Sequence, residues 1–353
     1  MLANRRFQGP FAHVARRAVV ALIASIAALL VAAPASSAAT GSVYDDANFN
    51  VGAGHDFFNG TFTGFDNVGL GYSVMPNLTT GNANIATGDD ALLHTTTGSD
   101  NVATGNEALL SNTTGTANLA LGSFALVNNT AGSQNLASGY QALFSNTTGH
   151  DNIATGTNAL EYNTTGNFNL ASGTEALKNN SGNRNLASGY QALSANTTGS
   201  DNLAYGDQAL LKNTTGTDNV AAGTGALSAN TTGTDNLAAG TGALQTNDTG
   251  NGNIATGVDA LLSNFAGNYN VANGTDALYS NISGSFNLAV GYQALNNSTG
   301  SSNIALGSGA GANLTTGSND VDIANAGVAG ESGIIRIGTV GKQNAAFLTG
   351  DYG

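Results

Sequence analysis

Apolar positions recur along this chain with a period of 17 residues, not with the 3.6-residue beat of an amphipathic helix. Sixteen asparagines mark the register, from Asn50 and Asn67 through Asn84, Asn101 and Asn152 to Asn303, and two steps are 16 residues long, Asn169 to Asn185 and Asn287 to Asn303. Each anchor is followed by Ile, Val or Leu and then by Ala, which gives way to Gly only at Gly52 and Gly69. A Gly stands four residues after every anchor, as at Gly88, Gly105 and Gly156. A second apolar pair, usually Ala-Leu as in Ala91-Leu92 and Ala142-Leu143, falls seven and eight residues on. The unit reads N-[ILV]-A-x-G-x-x-A-L-x-x-N-T-T-G-x-x, and such regularity means a solenoid.

A 17-residue turn is too short for two packed helices, and its Gly and Asn-Thr-Thr-Gly would stop a helix after about two turns. The pattern predicts two short strands per coil. In the first, the apolar residue after Asn points inward, the Ala points to the opposite face, and the next position (Thr87, Ser138, Thr155, Ser172) points inward again. The second strand carries Ala-Leu, and Asn146 to Gly149 or Asn213 to Gly216 closes the coil with residues suited to positive φ and side-chain turns. Both 16-residue steps shorten this closing turn. Stacking would set like residues about 4.8 Å apart, so Asn84, Asn101, Asn152 and their equivalents should form amide ladders. Two large apolar side chains per coil are little to set against the conformational entropy of ordering 17 backbones. Association is expected to help, and the row of small Ala side chains, including Ala154 and Ala171, is the expected oligomer face.

The first 38 residues read differently. Arg5, Arg6, Arg16 and Arg17 precede an apolar run from Ala18 to Ala33, then Pro34 and Ser36-Ser37-Ala38, the layout of a secretory signal peptide cleaved after Ala38. The run is shorter than the roughly 20 residues of a spanning helix, so no membrane span is expected after cleavage and the chain should be secreted or held at the cell surface. An N-terminal cap at 39–49, coils at 50–318 and a C-terminal cap at 319–353 complete the layout, with closing strands at Gly333 to Gly338 and Ala345 to Leu348. Absence of Cys excludes disulfide staples and thiolate metal sites. Five basic residues against 22 acidic ones remain after the signal, which argues against nucleic-acid or anionic-membrane partners.

Candidate chemistry is sparse. His55, His94 and His150 share no repeat position and read as surface or turn residues. Gly307, Gly309 and Gly311 lack the Lys and following helix of a phosphate loop. Asp precedes the anchor at Asp66, Asp100, Asp151, Asp201, Asp218 and Asp235, and the last three fall on successive coils, where Ca²⁺ could relieve their repulsion; a solvated acidic stripe is the plainer reading. Paired threonines could form a hydroxyl row matched to ice, although they sit at a turn. Asn-x-Thr sequons would accept glycans only in a eukaryotic secretory route. Tyr140, Tyr190 and Tyr292 share one repeat position, and Phe168, Tyr269 and Phe286 another, so aligned aromatics could contact glycan or protein. No nucleophile or acid-base constellation has a local signature, and neither a catalytic residue nor a cofactor is expected.

Asn84-Ile85-Ala86-Thr87-Gly88 and Asn303-Ile304-Ala305-Leu306-Gly307 resemble the Asn-Ser-Val-Ala-Ile-Gly signature of the YadA-like head repeats of trimeric autotransporter adhesins. The Ala-Leu-x-x-Asn-Thr-Thr-Gly half is similar to repeat arrays that precede intramolecular-chaperone (peptidase S74) domains in phage-tail-like and bacterial surface proteins. The likeness covers about residues 50 to 325, but the family repeat is commonly shorter, no Ser stands between Asn and the apolar residue, and no coiled-coil stalk, barrel anchor or chaperone domain is expected from these residues. It implies an all-β fold, a left-handed parallel β-roll that trimerises. The expected function is a non-enzymatic, adhesin-like display surface that pairs with itself and with a host or environmental glycan or protein. A monomeric ligand- or ice-binding solenoid and a phage-fibre-like protein are the alternatives, with a carbohydrate-active enzyme behind them.

Overall fold

A computed structural model describes residues 42–58 and 62–343, and within them the chain is a parallel β-solenoid of about 17 turns with no helix. The signal peptide read at 1–38 and the strand expected at Ala345 to Leu348 lie outside the described residues. β1 (Ser42–Asp45) pairs antiparallel with β2 (Val51–His55), and β3 (Val68–Tyr72) continues in parallel. Sixteen three-residue strands follow, one per turn, from β4 (Ile85–Thr87) to β19 (Ile335–Ile337), and all belong to one sheet. Ile85 pairs with Val102 and Ala86 with Ala103, so each repeat position stacks on its own kind.

Only one strand forms per turn, and the second expected strand is a run of turns. The residues six and eight places after the anchor both hold positive φ in most coils, as at Glu107 (55°) and Leu109 (53°), and such alternation cannot stay extended. The conformation costs an L-residue roughly 1 to 2 kcal/mol. It recurs because the stack satisfies it: the Leu109 N–H donates to the Ala125 carbonyl of the next turn at 3.0 Å, and the Asn112 N–H to the Leu109 carbonyl at 3.1 Å.

The strand faces are the reverse of the sequence expectation. Asn84 and Ala86 lie two residues apart on one strand and so point the same way, inward, and both are fully buried. Ile85 and Thr87 point outward. Each standard turn fills its interior with two Ala, one Leu and Asn side chains, as with Ala103, Ala108 and Leu109. Ala154 and Ala171 are therefore core residues with no exposed surface, not an oligomer face. Only small residues fit opposite the buried Leu in so slim a coil. The two exceptions to Ala have a packing reason: Gly52 lies beneath the Phe57 ring, and Gly69 beside Val74, Met75 and Phe58. At this end Tyr44, Phe57, Phe58 and Phe62 interlock, with ring centroids 5.0 to 6.3 Å apart, and cover the top of the core.

Two asparagine ladders run through the interior. Asn101 donates from its backbone N–H and from Nδ2 to Asn84 Oδ1, each at 3.1 Å, and from Nδ2 to the Gly115 carbonyl at 2.9 Å. Asn152 makes the same three bonds to Asn135 and Gly166. The second ladder uses the Asn of Asn-Thr-Thr-Gly: Asn146 Nδ2 donates to Asn129 Oδ1 at 2.8 Å and to its own Gly149 carbonyl at 3.0 Å. Buried amides are tolerated because donors and acceptors pair from turn to turn. Where the 16-residue step puts Ser298 in that column, Asn281 Oδ1 loses its donor and is left without a partner.

Candidate functional surface

The strands turn a continuous row of Ile, Val and Leu outward, from Val51 through Ile153 and Leu170 to Ile304, partly or well exposed along its length. Ile153 is 41% exposed and Ile254 40%. At about 4.8 Å per turn the row extends for about 70 Å and presents on the order of 1,000 Å² of apolar surface, where isolated monomers rarely show more than a few hundred. This face was not read from the sequence. Its signal was present, because a branched apolar residue follows every anchor.

The residue before the anchor forms a corner, and positive φ recurs at this position down the array: Asp66 60°, Asp100 60°, Asp151 56°, Asp201 60°, Asp218 58° and Asp235 59°. Asp and Gly tolerate this region better than most residues, so backbone conformation accounts for the acidic row. Asp201 is engaged by Arg184 through two bonds of 2.6 and 2.7 Å, which hold its carboxyl below the usual range. Among the described residues no group of three His, Cys, Asp or Glu side chains is placed to hold a metal, so Asp201, Asp218 and Asp235 do not assemble a calcium site. Along the same corner His150 meets Phe168 edge-on at 5.1 Å, and Tyr269 stacks on Phe286 at 5.4 Å.

Tyr140, Tyr190 and Tyr292 are about half exposed and share one column five places after the anchor. Three turns separate the first two and six the next, about 14 and 29 Å, so their rings cannot touch and each is a separate contact point. Tyr72 and His55 stand in the same column, paired across β2 and β3, and were missed because Tyr72 lacks the following Gln-Ala-Leu.

At the closing turn, threonine hydroxyls donate to the next turn's carbonyl, as Thr96 to Thr113 at 3.1 Å and Thr147 to Thr164 at 3.0 Å. The sequon asparagines Asn146, Asn163 and Asn213 are fully buried in the second ladder, so in the folded coil no glycan can attach to them.

The C-terminal end departs from the repeat in its charge. Asp320 takes an anchor position and Asp322 an Ala position, both buried; Asp320 Oδ2 and both oxygens of Asp322 lack hydrogen-bond partners. Arg336, on the neighbouring strand, is held by Glu331. Burial, with the Glu331 and Asp320 charges beside it and Arg336 opposing, pushes Asp322 up to about 6. A raised folded pKa means stability that is full below the unfolded value near 4 and is lost as pH rises through about 6, a difference of at most about 3 kcal/mol. The Arg336 contact holds Glu331 low and acts oppositely, at more acid pH. Hydrogen exchange of residues 320–338, corrected for intrinsic rate, should accordingly show the last turn opening more readily at pH 7 than at pH 4.5. Asp322→Asn should flatten that dependence; an unchanged slope would contradict the assignment.

Among the described residues no helix is long and apolar enough to cross a membrane. No protein-family model and no curated protein matches the chain.

Proposed function

We propose that the chain is an exported, non-catalytic rod that works as a homo-oligomer and binds a surface glycan or protein through repeated shallow contacts. The observation that carries this reading is the continuous outward row of Ile, Val and Leu, which a solitary rod would leave wet along its whole length. Three chains and a left-handed coil are the form taken from the likeness to YadA-like head repeats. Pairing through the columns one and three places after the anchor leaves the corners and turns for ligand, together with Tyr140, Tyr190 and Tyr292, which stand five places after the anchor and are about half exposed. The ice-binding alternative is less well supported, because hydroxyl hydrogens along the threonine row are engaged by carbonyls.

Single tyrosine contacts are weak, and several chains engaging one surface would raise avidity on the order of 10² to 10⁴ above one contact. The purified chain should bind immobilised glycans, matrix or cells, and the triple variant Tyr140→Ala, Tyr190→Ala, Tyr292→Ala should lower that binding at least about tenfold while leaving circular dichroism unchanged. Undiminished binding by the variant would remove these tyrosines as the contact. Reproducible hydrolysis of a polysaccharide by the pure chain would overturn the non-catalytic reading.

A further inference from the structure

Two columns of side chains point outward from the sheet, and they differ in character. The column directly after the anchor is apolar throughout, whereas the second column, three places after the anchor, is mostly small or polar through the middle of the array: Thr87, Thr104, Ser138, Thr155, Ser172 and Ser188. At the C-terminal end both columns become apolar on four consecutive strands. These are β16 (Leu288–Val290), β17 (Ile304–Leu306), β18 (Val321–Ile323) and β19. Leu288 with Val290, Ile304 with Leu306, Val321 with Ile323 and Ile335 with Ile337 thus make a platform two side chains wide. Val290 is 37% exposed, Ile335 70% and Ile337 65%.

We propose that this platform is the principal self-association seat, occupied by the same platform of a second copy of the chain, from which pairing spreads along the narrower row toward the N-terminus. The inference rests on the self-association reading above and adds where its energy is concentrated. The platform presents on the order of 600 Å² of apolar surface, at the top of the range for the largest patch on a typical monomer. A stable interface needs about 800 Å² per partner, so the platform supplies most of it and the row that continues through Val271 and Ile254 supplies the remainder. A polar partner would leave the platform's branched side chains wet. Further copies offer the same spacing of about 4.8 Å and the same width, so the strand pairs at each level can meet around an axis parallel to the rod, as the three-chain form requires.

Sedimentation of the purified chain over a concentration series tests this with two triple variants in the same column. Val290→Ser, Leu306→Thr and Ile323→Thr install the residue types found mid-array, and Leu121→Ser, Tyr205→Thr and Ala222→Ser do the same away from the end. The end triple is expected to raise the dissociation constant at least about 100-fold and the middle triple less than about tenfold. Equal shifts, or a larger effect of the middle triple, would overturn the proposal while leaving self-association standing; a wild-type chain that is monomeric at every concentration would overturn both. Because the end triple could loosen the last turn, single cysteines in this Cys-free chain give a second reading. Ile323→Cys should cross-link under oxidation at a chain concentration at least about tenfold lower than Thr104→Cys, and a reversed or equal order would likewise reject the end as the seat.

Discussion

Gly156→Val is expected to cost on the order of 2 to 6 kcal/mol, while Thr157→Val, one residue on, should stay within about 0.5 kcal/mol. Gly156 holds φ at +127°, a conformation L side chains rarely adopt. A Cβ built there would lie 2.7 Å from both the carbonyl carbon and oxygen of Gly173 in the next turn. The obstacle is backbone, so no rotamer change relieves it; the turns must separate, which would lengthen the 2.8 Å bond from the Gly173 N–H to the Thr155 carbonyl and its neighbours. Thr157 is exposed, and only its backbone enters the ladder, through the bond accepted from the Glu175 N–H at 2.9 Å. In a linear array each turn touches only its neighbours, so the Gly156 variant should divide one cooperative melt into two blocks. Denaturant unfolding followed by circular dichroism checks both statements, and equal tolerance at the two positions would contradict them.

Much of this architecture was legible because stacking copies each position onto itself. The 17-residue interval of Asn and Gly was enough to place the turns, the anchor ladder and the absence of helix among the described residues. The direction of the side chains was not legible from hydrophobicity. A large Ile beside a small Ala suggests Ile inside, but Asn84 must face inward to reach Asn67 and Asn101, and strand alternation then carries Ala86 inward with it. Polar ladders, not apolar bulk, set the register. The second ladder, at Asn112, Asn129 and Asn146, was hidden because Asn-Thr-Thr-Gly is also ordinary turn vocabulary. The acidic row misled for a related reason: Asp218 and Asp235 stand where the backbone turns left-handed, and a conformational preference there looks in sequence like a repeated ligand set.

Reversal of the faces also changes what charge should do at adjacent turns. Ile153→Glu combined with Leu170→Glu is expected to convert the oligomer to monomer with the coil intact, since both side chains point outward and pair across neighbouring strands. In the free rod the two carboxylates would face water, repelling by about 0.9 kcal/mol at 4.8 Å. Beneath a second chain each would be an unpaired buried charge costing several kcal/mol, and together they would outweigh what two apolar contacts contribute. Ala154→Glu with Ala171→Glu, one residue further along each strand, should instead unfold the surrounding turns, because those side chains fill the interior and leave no room or partner for a carboxylate. Sedimentation velocity and far-ultraviolet circular dichroism on both double variants separate the outcomes. A monomer with an unchanged spectrum from the first pair and a lost spectrum from the second are the expected results; an unchanged oligomer mass for Ile153→Glu with Leu170→Glu would mean that the chains do not meet along the strand face at mid-array.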